Sequence, residues 1–275
     1  MILHRVADWD NAYANSDNIA GGSAWPDAWV APAQAFRGRL LERGKADIDI
    51  AYGDHARHRL DLFLPDGAPR GLVVFIHGGY WMALDKSYWS HLAAGPLAHG
   101  YAVAMPSYRL CPEVYISNIV ADIGDAIAVA AGRVEGPIHL TGHSAGGHLA
   151  ARMVSAPSPL GLDILARIRH VVPISGLFDL RPLMATSMNA TLQLHDESAR
   201  HESPAVLSPV RDCRITAWVG GAERAEFRRQ NALIANIWTG LGASVAAYEE
   251  PDRHHFTVID GLIDPDHPLT RTLLG

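Results

Sequence analysis

The sequence of 275 residues has only two cysteines, Cys111 and Cys213, too few for the disulfide framework that stabilises small secreted domains. This scarcity favours a reducing compartment, and we expect a cytoplasmic protein. The sequence also has no run of lysine or arginine, and its net charge is −6. A nucleic-acid partner is therefore not expected, because it would require a basic face.

Long hydrophobic runs are missing as well. The longest, LVVFI at 72–76 and AIAVAA at 126–131, are much shorter than the ~20 residues that cross a bilayer. The N-terminal stretch MILHRVADWDN contains no apolar core of a secretory signal. We expect a soluble protein without a membrane partner, and its 48% hydrophobic content supplies ample material for a core.

Short apolar segments recur along the chain in two patterns. Two alternating segments come first, at 46–52 and 58–64, and a polar turn between them predicts an antiparallel hairpin. Compact apolar runs typical of strands buried on both faces follow at 72–76, 101–105, 138–141, 170–174, 215–219 and 244–248. Segments of helical length separate them at about 86–99, 117–132, 145–155 and 223–241. The alternation predicts an α/β fold with a mostly parallel, doubly wound sheet and helices on both faces.

Two segments do not fit this alternation. Residues 1–45 are rich in aromatic side chains, and we expect them to form a cap-like segment across one end of the sheet. Residues 177–209 form a long insertion between two strands, where a lid or a pocket wall is common. The whole chain, 1–275, is predicted to be a single domain.

The motif GHSAG at 142–146 follows the run IHLT and precedes a helical segment. This strand–turn–helix context is typical of a nucleophile elbow, in which a strained turn exposes the serine hydroxyl. The flanking glycines suit it, since a side chain there would collide with neighbouring backbone. We predict Ser144 as a nucleophile; a helix-capping role is the alternative.

A second glycine motif, HGGYW at 77–81, follows another buried strand. Its glycines leave backbone N–H groups open to a substrate oxygen. We predict an oxyanion hole formed by the amides of Gly79 and Tyr80 together with that of Ala145, the residue after the serine.

A serine nucleophile needs a base, and an imidazole base needs an acid to orient it. Glu223, which follows the run ITAWV, is the predicted acid, with Glu226 and Asp179 as alternatives. His255, in the segment after SVAAY, is the predicted base, whereas His254 is expected to be exposed.

These motifs together resemble the α/β-hydrolase superfamily, and within it the arylformamidase (kynurenine formamidase) and esterase group that carries HGGYW. The resemblance also covers DLFLP, SYRLCPE, SGLFDL, VGGAERAEFRRQ and RHHF. It implies Ser144 as nucleophile, Glu223 at the acid position and His255 as base. One departure is the acid, because members of the group often have aspartate where this chain has glutamate.

The resemblance implies a serine hydrolase that cleaves a small, aromatic ester or aryl formamide through an acyl-enzyme, with no cofactor and no metal. A thioesterase, a lipase-like esterase and a non-catalytic binding scaffold are alternatives. A metallohydrolase built on His139, His143 and His148 is disfavoured, because these residues fall on a strand, a turn and a helix. A homodimer is possible. The predicted substrate pocket contains Trp81, Tyr108, Leu177, Phe178 and Met184.

Overall fold

A computed structural model of the chain describes residues 5–210, 212 and 214–275. Cys213 lies outside these ranges, and Cys111 is buried without a disulfide. Within them, eight strands form one sheet in the order β1-β2-β4-β3-β5-β7-β9-β10, and β6 and β8 form a separate pair. The strands are β1 Ala46–Ala51, β2 Arg59–Phe63, β3 Leu72–Ile76, β4 Ala102–Pro106, β5 Ile138–His143, β6 Ser155–Ala156, β7 Ile168–Ile174, β8 Ser208–Pro209, β9 Arg214–Gly220 and β10 Ser244–Glu250.

The sheet matches the predicted arrangement. Strands β1, β2 and β4 pair antiparallel in succession, and every other neighbouring pair is parallel. The central strands β3, β4 and β5 are buried at every position, as expected for apolar runs with helices on both sides. The predicted fold class, including the N-terminal hairpin, is confirmed.

Helices cover both faces of the sheet. The α-helices of the described residues are α1 Trp9–Tyr13, α2 Trp25–Glu42, α3 Ala94–Ala98, α4 Ile116–Ala131, α5 Ala145–Met153, α6 Leu162–Leu165, α7 Asn189–Leu192, α8 Asp196–His201, α9 Ala225–Gly240 and α10 Pro268–Leu274. Short 3₁₀-helices lie at Ser16–Asn18, Gly22–Ala24, Lys86–Ala93, Arg181–Ala185, Pro204–Val206 and Val258–Leu262. None of the described helices is long and apolar enough to span a membrane.

The helix predicted at 86–99 differs from expectation, because its first part is a 3₁₀-helix and only Ala94–Ala98 is α-helical. Two local features accompany the break between the two parts. The Ser87 carbonyl accepts a hydrogen bond from the Arg37 guanidinium at 2.7 Å. Pro96 has no N–H with which to continue an α-helical ladder.

The alternation of side chains along β3 divides the core in two. Leu72, Val74 and Ile76 belong to the cluster on one face, and Val73 and Phe75 belong to the cluster on the other. These strand side chains are thereby removed from water. Their burial stabilises the fold by roughly 25 cal/mol per Å² of apolar surface buried. The two packed faces hold the ends of the strands, and the turns that follow them, in fixed positions.

The N-terminal segment reaches both faces of the sheet. Tyr13 packs in the same cluster as Leu72, and Trp29 packs in the same cluster as Val73. The insertion at 177–209 meets this segment where the Ser187 amide donates to Asp10 at 2.6 Å. Residues far apart in sequence therefore close over one edge of the sheet.

A buried ion pair links the hairpin to the 3₁₀-helix. Asp61 on β2 is 0% exposed, and its Oδ1 lies 2.6 Å from Nζ of Lys86. The Asp49 amide also donates to Asp61 at 3.0 Å. Lys86 Nζ also lies 2.7 Å from Oδ1 of Asp49, whose side chain is 65% exposed. Truncation of Asp61 would leave the buried ammonium with this solvent-exposed carboxylate as its remaining partner.

We therefore expect Asp61→Ala to lower the free energy of unfolding by about 3–5 kcal/mol. Asp66→Ala is the matched control, because Asp66 pairs with Arg43 at 2.9 Å on the exposed surface, and it should cost about 0–1 kcal/mol. Urea denaturation monitored by circular dichroism measures both values. Equal losses would contradict the structural role of the buried pair.

Several histidines are buried in neutral form. Burial is the main cause that lowers the pKa of His77, His148 and His170 to about 4. Between pH 6.5 and about 4 these imidazoles take up protons only in the unfolded chain. Stability should therefore fall as the pH is lowered through this range.

His170 allows a direct check, since its Nε2 lies 2.9 Å from Thr216 Oγ1, away from the serine turn. We expect the stability cost of His170→Gln to be about 2 kcal/mol smaller at pH 5 than at pH 7, because only the wild type must keep this site unprotonated. Denaturation at the two pH values tests this, and a cost independent of pH for His170→Gln would refute it.

Candidate active site

Ser144 lies in a sharp turn between β5 and α5. Its backbone has φ 56° and ψ −118°, a strained conformation for a residue with a side chain. The Ser144 amide donates to the Ile174 carbonyl at 2.8 Å, which helps to hold the turn. The side chain makes no capping hydrogen bond to α5. The helix-capping alternative therefore has no support in this geometry.

The glycines beside this turn are required by close backbone packing. A Cβ on Gly146 would lie 2.0 Å from the Ile76 carbonyl oxygen, and a Cβ on Gly142 would lie 2.3 Å from the Gly146 oxygen. Real Cβ atoms do not approach backbone this closely. The expectation of glycine at both flanks is thus explained by contact between the turn and the end of β3.

The glycine loop after β3 packs directly on the serine turn. A Cβ on Gly78 would lie 3.1 Å from Ser144 Cβ and 2.9 Å from the His143 oxygen. Within the described parts of the chain, the amides of Gly79 and Tyr80 donate to no backbone carbonyl. Gly79 and Tyr80 line the same cavity as Ser144, so their N–H groups remain candidates for an oxyanion hole.

Three successive residues of this loop have positive φ: 112° at Gly79, 52° at Tyr80 and 58° at Trp81. Only glycine adopts this region without strain. Anchored side chains hold the other two residues there. The Tyr80 hydroxyl donates to the Tyr13 carbonyl at 2.7 Å, and the Trp81 indole donates to His148 Nδ1 at 3.3 Å.

His77 also stabilises this loop. Its Nδ1 donates to the Gly78 carbonyl at 2.7 Å, and its ring stacks on Tyr108 at a centroid distance of 4.2 Å. The Tyr108 hydroxyl in turn donates to the His77 carbonyl at 2.9 Å. The sequence motif therefore specifies both the open amides and the side chains that fix them.

Glu223 and His255 are hydrogen-bonded to each other. His255 Nδ1 lies 2.7 Å from Glu223 Oε2, and both side chains are buried. The second carboxylate oxygen accepts from the Ser175 hydroxyl at 2.5 Å and from the Gly220 amide at 2.8 Å. These contacts fix the carboxylate and orient the imidazole. The other ring nitrogen of His255, Nε2, is not used in the contact with Glu223.

The two alternative acids are engaged elsewhere. Asp179 forms a bidentate pair with Arg181 at 2.8 and 2.9 Å. Glu226 pairs with Arg229 at 2.7 Å and accepts from the Tyr13 hydroxyl at 2.8 Å. Neither carboxylate contacts a histidine of the strand-end loops, so Glu223 is the acid that the fold brings to His255.

Ser144 and His255 line the same cavity, which has a volume of about 240 Å³. Its wall is mostly apolar, with Trp29, Trp89 and Phe256 as aromatic members. The complete lining is Ser16, Pro26, Trp29, Gly79, Tyr80, Met82, Ala83, Leu84, Trp89, His143, Ser144, His255 and Phe256. An apolar cavity of ~150 Å³ already holds benzene, so an aromatic ring fits this space.

The five side chains predicted for the substrate pocket do not line this cavity. Trp81, Tyr108, Leu177 and Phe178 are each 0% exposed and belong to the core on the side of Tyr13, and Met184 packs against that cluster. Their apolar character reflects the core. Residues of the core and residues of a pocket wall have the same hydrophobic character in the sequence, so the sequence does not distinguish them.

The insertion at 177–209 also contributes no residue to this cavity. Ser187 and Met188 instead line a neighbouring cleft of about 430 Å³, together with Tyr80 and residues 10, 11 and 13–17. The cap-like N-terminal segment forms part of the cavity wall instead, through Ser16, Pro26 and Trp29. The aromatic richness of residues 1–45 was the signal that could have assigned them to the site.

Two further residues of the site were not predicted. Ser175 holds Glu223, and its φ of 52° places it in a tight turn at the end of β7. His143 contacts the His255 carbonyl through Nε2 at 2.7 Å. His254, expected to be exposed, is half-buried and packs edge-on against Trp25 at 5.3 Å. Local sequence carries no signal for contacts between segments so far apart.

The histidines considered as a metal site point to different partners. His139 packs edge-on against Tyr101, and His148 Nε2 contacts the Glu202 carbonyl at 2.7 Å. In the part of the chain that the structure describes, no group of three or more His, Cys, Asp or Glu side chains is arranged to hold a metal.

Comparisons with known proteins agree with this architecture. A family profile, BD-FAE, matches residues 60–198. Kynurenine formamidase of Danio rerio is 30% identical over 237 residues, which cover 82% of this chain and 80% of that protein. The crystal structure of a presumed thioesterase from Silicibacter sp. TM1040 has a TM-score of 0.92 and 48% identity, covering 97% of this chain and 98% of that one.

A more distant structure shares the fold alone. Esterase B from Lactobacillus rhamnosis, inhibited by a tributyrin phosphonate, has a TM-score of 0.67 and 18% identity, with 90% of this chain and 92% of that chain covered. The formamidase relative and the 48% identical structure support a hydrolase of ester or formamide type. The chain belongs to the BD-FAE family, in the arylformamidase and esterase group of the α/β-hydrolases.

Proposed function

We propose that the protein is a serine hydrolase of small aromatic esters or aryl formamides, with Ser144 as nucleophile, His255 as base and Glu223 as acid. The observation that carries this proposal is the 2.7 Å contact between Glu223 and His255, in a cavity that His255 shares with Ser144. This combination of groups is the one that activates a hydroxyl for acyl transfer.

The reaction proceeds in two steps. His255 Nε2 takes the hydroxyl proton while Ser144 Oγ bonds to the carbonyl carbon, and the carbonyl oxygen becomes an oxyanion. The amides of Gly79, Tyr80 and Ala145 donate to this oxyanion. His255 then gives its proton to the leaving oxygen or nitrogen as the bond to carbon breaks. Water, deprotonated by His255, then attacks the acyl carbon, and His255 returns that proton to Ser144 Oγ as its bond to the acyl group breaks and the acid is released.

The cavity supports an aromatic substrate of limited size. Trp29, Trp89 and Phe256 provide flat apolar walls, and the volume of about 240 Å³ is below the ~300–1,000 Å³ of sites for larger ligands. Thioester cleavage is a second candidate, because the 48% identical Silicibacter structure carries a thioesterase name. Both activities use the same nucleophile, so substrate comparison separates them.

The nucleophile is tested with Ser144→Ala. We expect turnover of N-formylkynurenine and of short p-nitrophenyl esters to fall at least about a thousandfold, since the residual rate comes from binding and oxyanion stabilisation alone. A fluorophosphonate probe should label the wild type at Ser144 and leave the variant unlabelled. Near-normal turnover in the variant would refute the assignment, and absence of labelling in the folded wild type would favour a non-catalytic binding protein. A short acyl thioester in the same assay measures the second candidate.

The acid is tested with Glu223→Gln and a matched control. The amide keeps the size of the side chain but cannot stabilise a protonated His255, so kcat should fall by about a thousandfold or more while the fold is retained. Asp179→Asn alters the alternative acid, which is paired with Arg181, and should change kcat less than about threefold. The reverse order of effects would move the acid role to Asp179.

A further inference from the structure

His143 lines the cavity but has no role in the reaction proposed above. It precedes Ser144 in the chain, is 3% exposed and lines the cavity with Ser144 and His255. Its ring centroid lies 4.5 Å from that of His255. It therefore stands beside both groups that act on the scissile bond.

The tautomer of His143 follows from its contact with a carbonyl. Nε2 lies 2.7 Å from the His255 oxygen, which can only accept, so Nε2 carries the proton. Burial and the neighbouring His255 lower the pKa of His143 well below its usual value, so the ring is neutral. Nδ1 consequently presents a lone pair.

This lone pair has no hydrogen-bond donor among the described residues. A Cβ on Gly78 would lie 3.4 Å from His143 Nδ1 and 3.1 Å from Ser144 Cβ. Nδ1 thus faces the space between the serine and the glycine loop. His143 lines the cavity, so Nδ1 can accept a hydrogen bond from a donor on a bound substrate.

The two proposed substrate classes, esters and aryl formamides, differ in whether the leaving atom carries a hydrogen-bond donor. The leaving atom of an ester is an oxygen without hydrogen, whereas the leaving nitrogen of an aryl formamide carries one N–H. After Ser144 attacks, the nitrogen lone pair must face His255 Nε2 to receive its proton. The N–H must then point in another direction, where a hydrogen-bond acceptor would stabilise it.

We propose that Nδ1 of His143 accepts the N–H of an aryl formamide during acylation and thereby favours cleavage of C–N bonds over C–O bonds. This role rests on the serine hydrolase function proposed above and adds no reagent to it. The C–N bond breaks, the proton from His255 passes to nitrogen, and the aniline leaves with its original N–H still donated to His143.

Two variants separate this role from support of the base. Gln places a donor near the position of Nε2, so His143→Gln can keep the bond to the His255 carbonyl but lacks an acceptor at Nδ1. Asn places its oxygen near the position of Nδ1, so His143→Asn keeps the acceptor and loses that bond. The readout is the ratio of kcat/KM for formanilide to that for phenyl formate, corrected for spontaneous hydrolysis. The two substrates differ at the leaving atom.

We expect His143→Gln to lower this ratio about tenfold, the usual effect of one lost hydrogen bond, and His143→Asn to keep it within about twofold of wild type. A merely structural role predicts that both rates fall together in each variant, with an unchanged ratio. An unchanged ratio in His143→Gln would overturn the proposal. His254→Asn, at a histidine outside the cavity lining, is the control and should keep the ratio.

The same assay distinguishes failure of this inference from failure of the underlying function. If Ser144→Ala abolishes hydrolysis of both substrates while His143→Gln leaves the ratio intact, the serine hydrolase stands and the role of His143 falls. If Ser144→Ala hydrolyses both at wild-type rates, the function itself is refuted and His143 loses its proposed role with it.

Discussion

The site depends on the close packing of two turns, one after β3 and one after β5. Gly78 and Gly146 allow this approach, because a Cβ at either position would meet backbone or the serine side chain. The packing brings two open amides next to Ser144 without any contribution from substrate. In the proposed mechanism, donors fixed in this way need no rearrangement as negative charge develops on the substrate.

The pair of Glu223 and His255 comes from strands on the opposite side of β5 from β3. Its loops follow β9 and β10, and Ser175, after β7, completes the support of the carboxylate. Three neighbouring parallel strands therefore supply one hydrogen-bonded unit, as expected for a site at the carboxyl ends of a parallel sheet. The longer reach of glutamate compared with aspartate is accommodated by the contacts to Ser175 and to the Gly220 amide.

Much of this arrangement was predictable from the sequence, because buried strands and glycine turns are local signals. All eight strands of the sheet were predicted, and the segments carrying Ser144, Glu223, His255 and Gly79 were placed at their ends. The pocket wall was not predictable in the same way. Trp81 and Phe178 are core residues and Trp29 is a cavity residue, yet all are aromatic, and only tertiary contacts distinguish them. His143 was missed because its partner is 112 positions away in the chain.

The wall formed by the N-terminal segment has a consequence for how the molecule matures. Trp25 and Trp29 pack against Phe256 at centroid distances of 6.0 and 5.6 Å, so this segment rests on a residue that is synthesised much later. Translation proceeds at roughly 5–20 residues per second, so this segment must wait on the order of ten seconds for its partner. The enclosure around the serine can therefore be completed only after Phe256 has been synthesised.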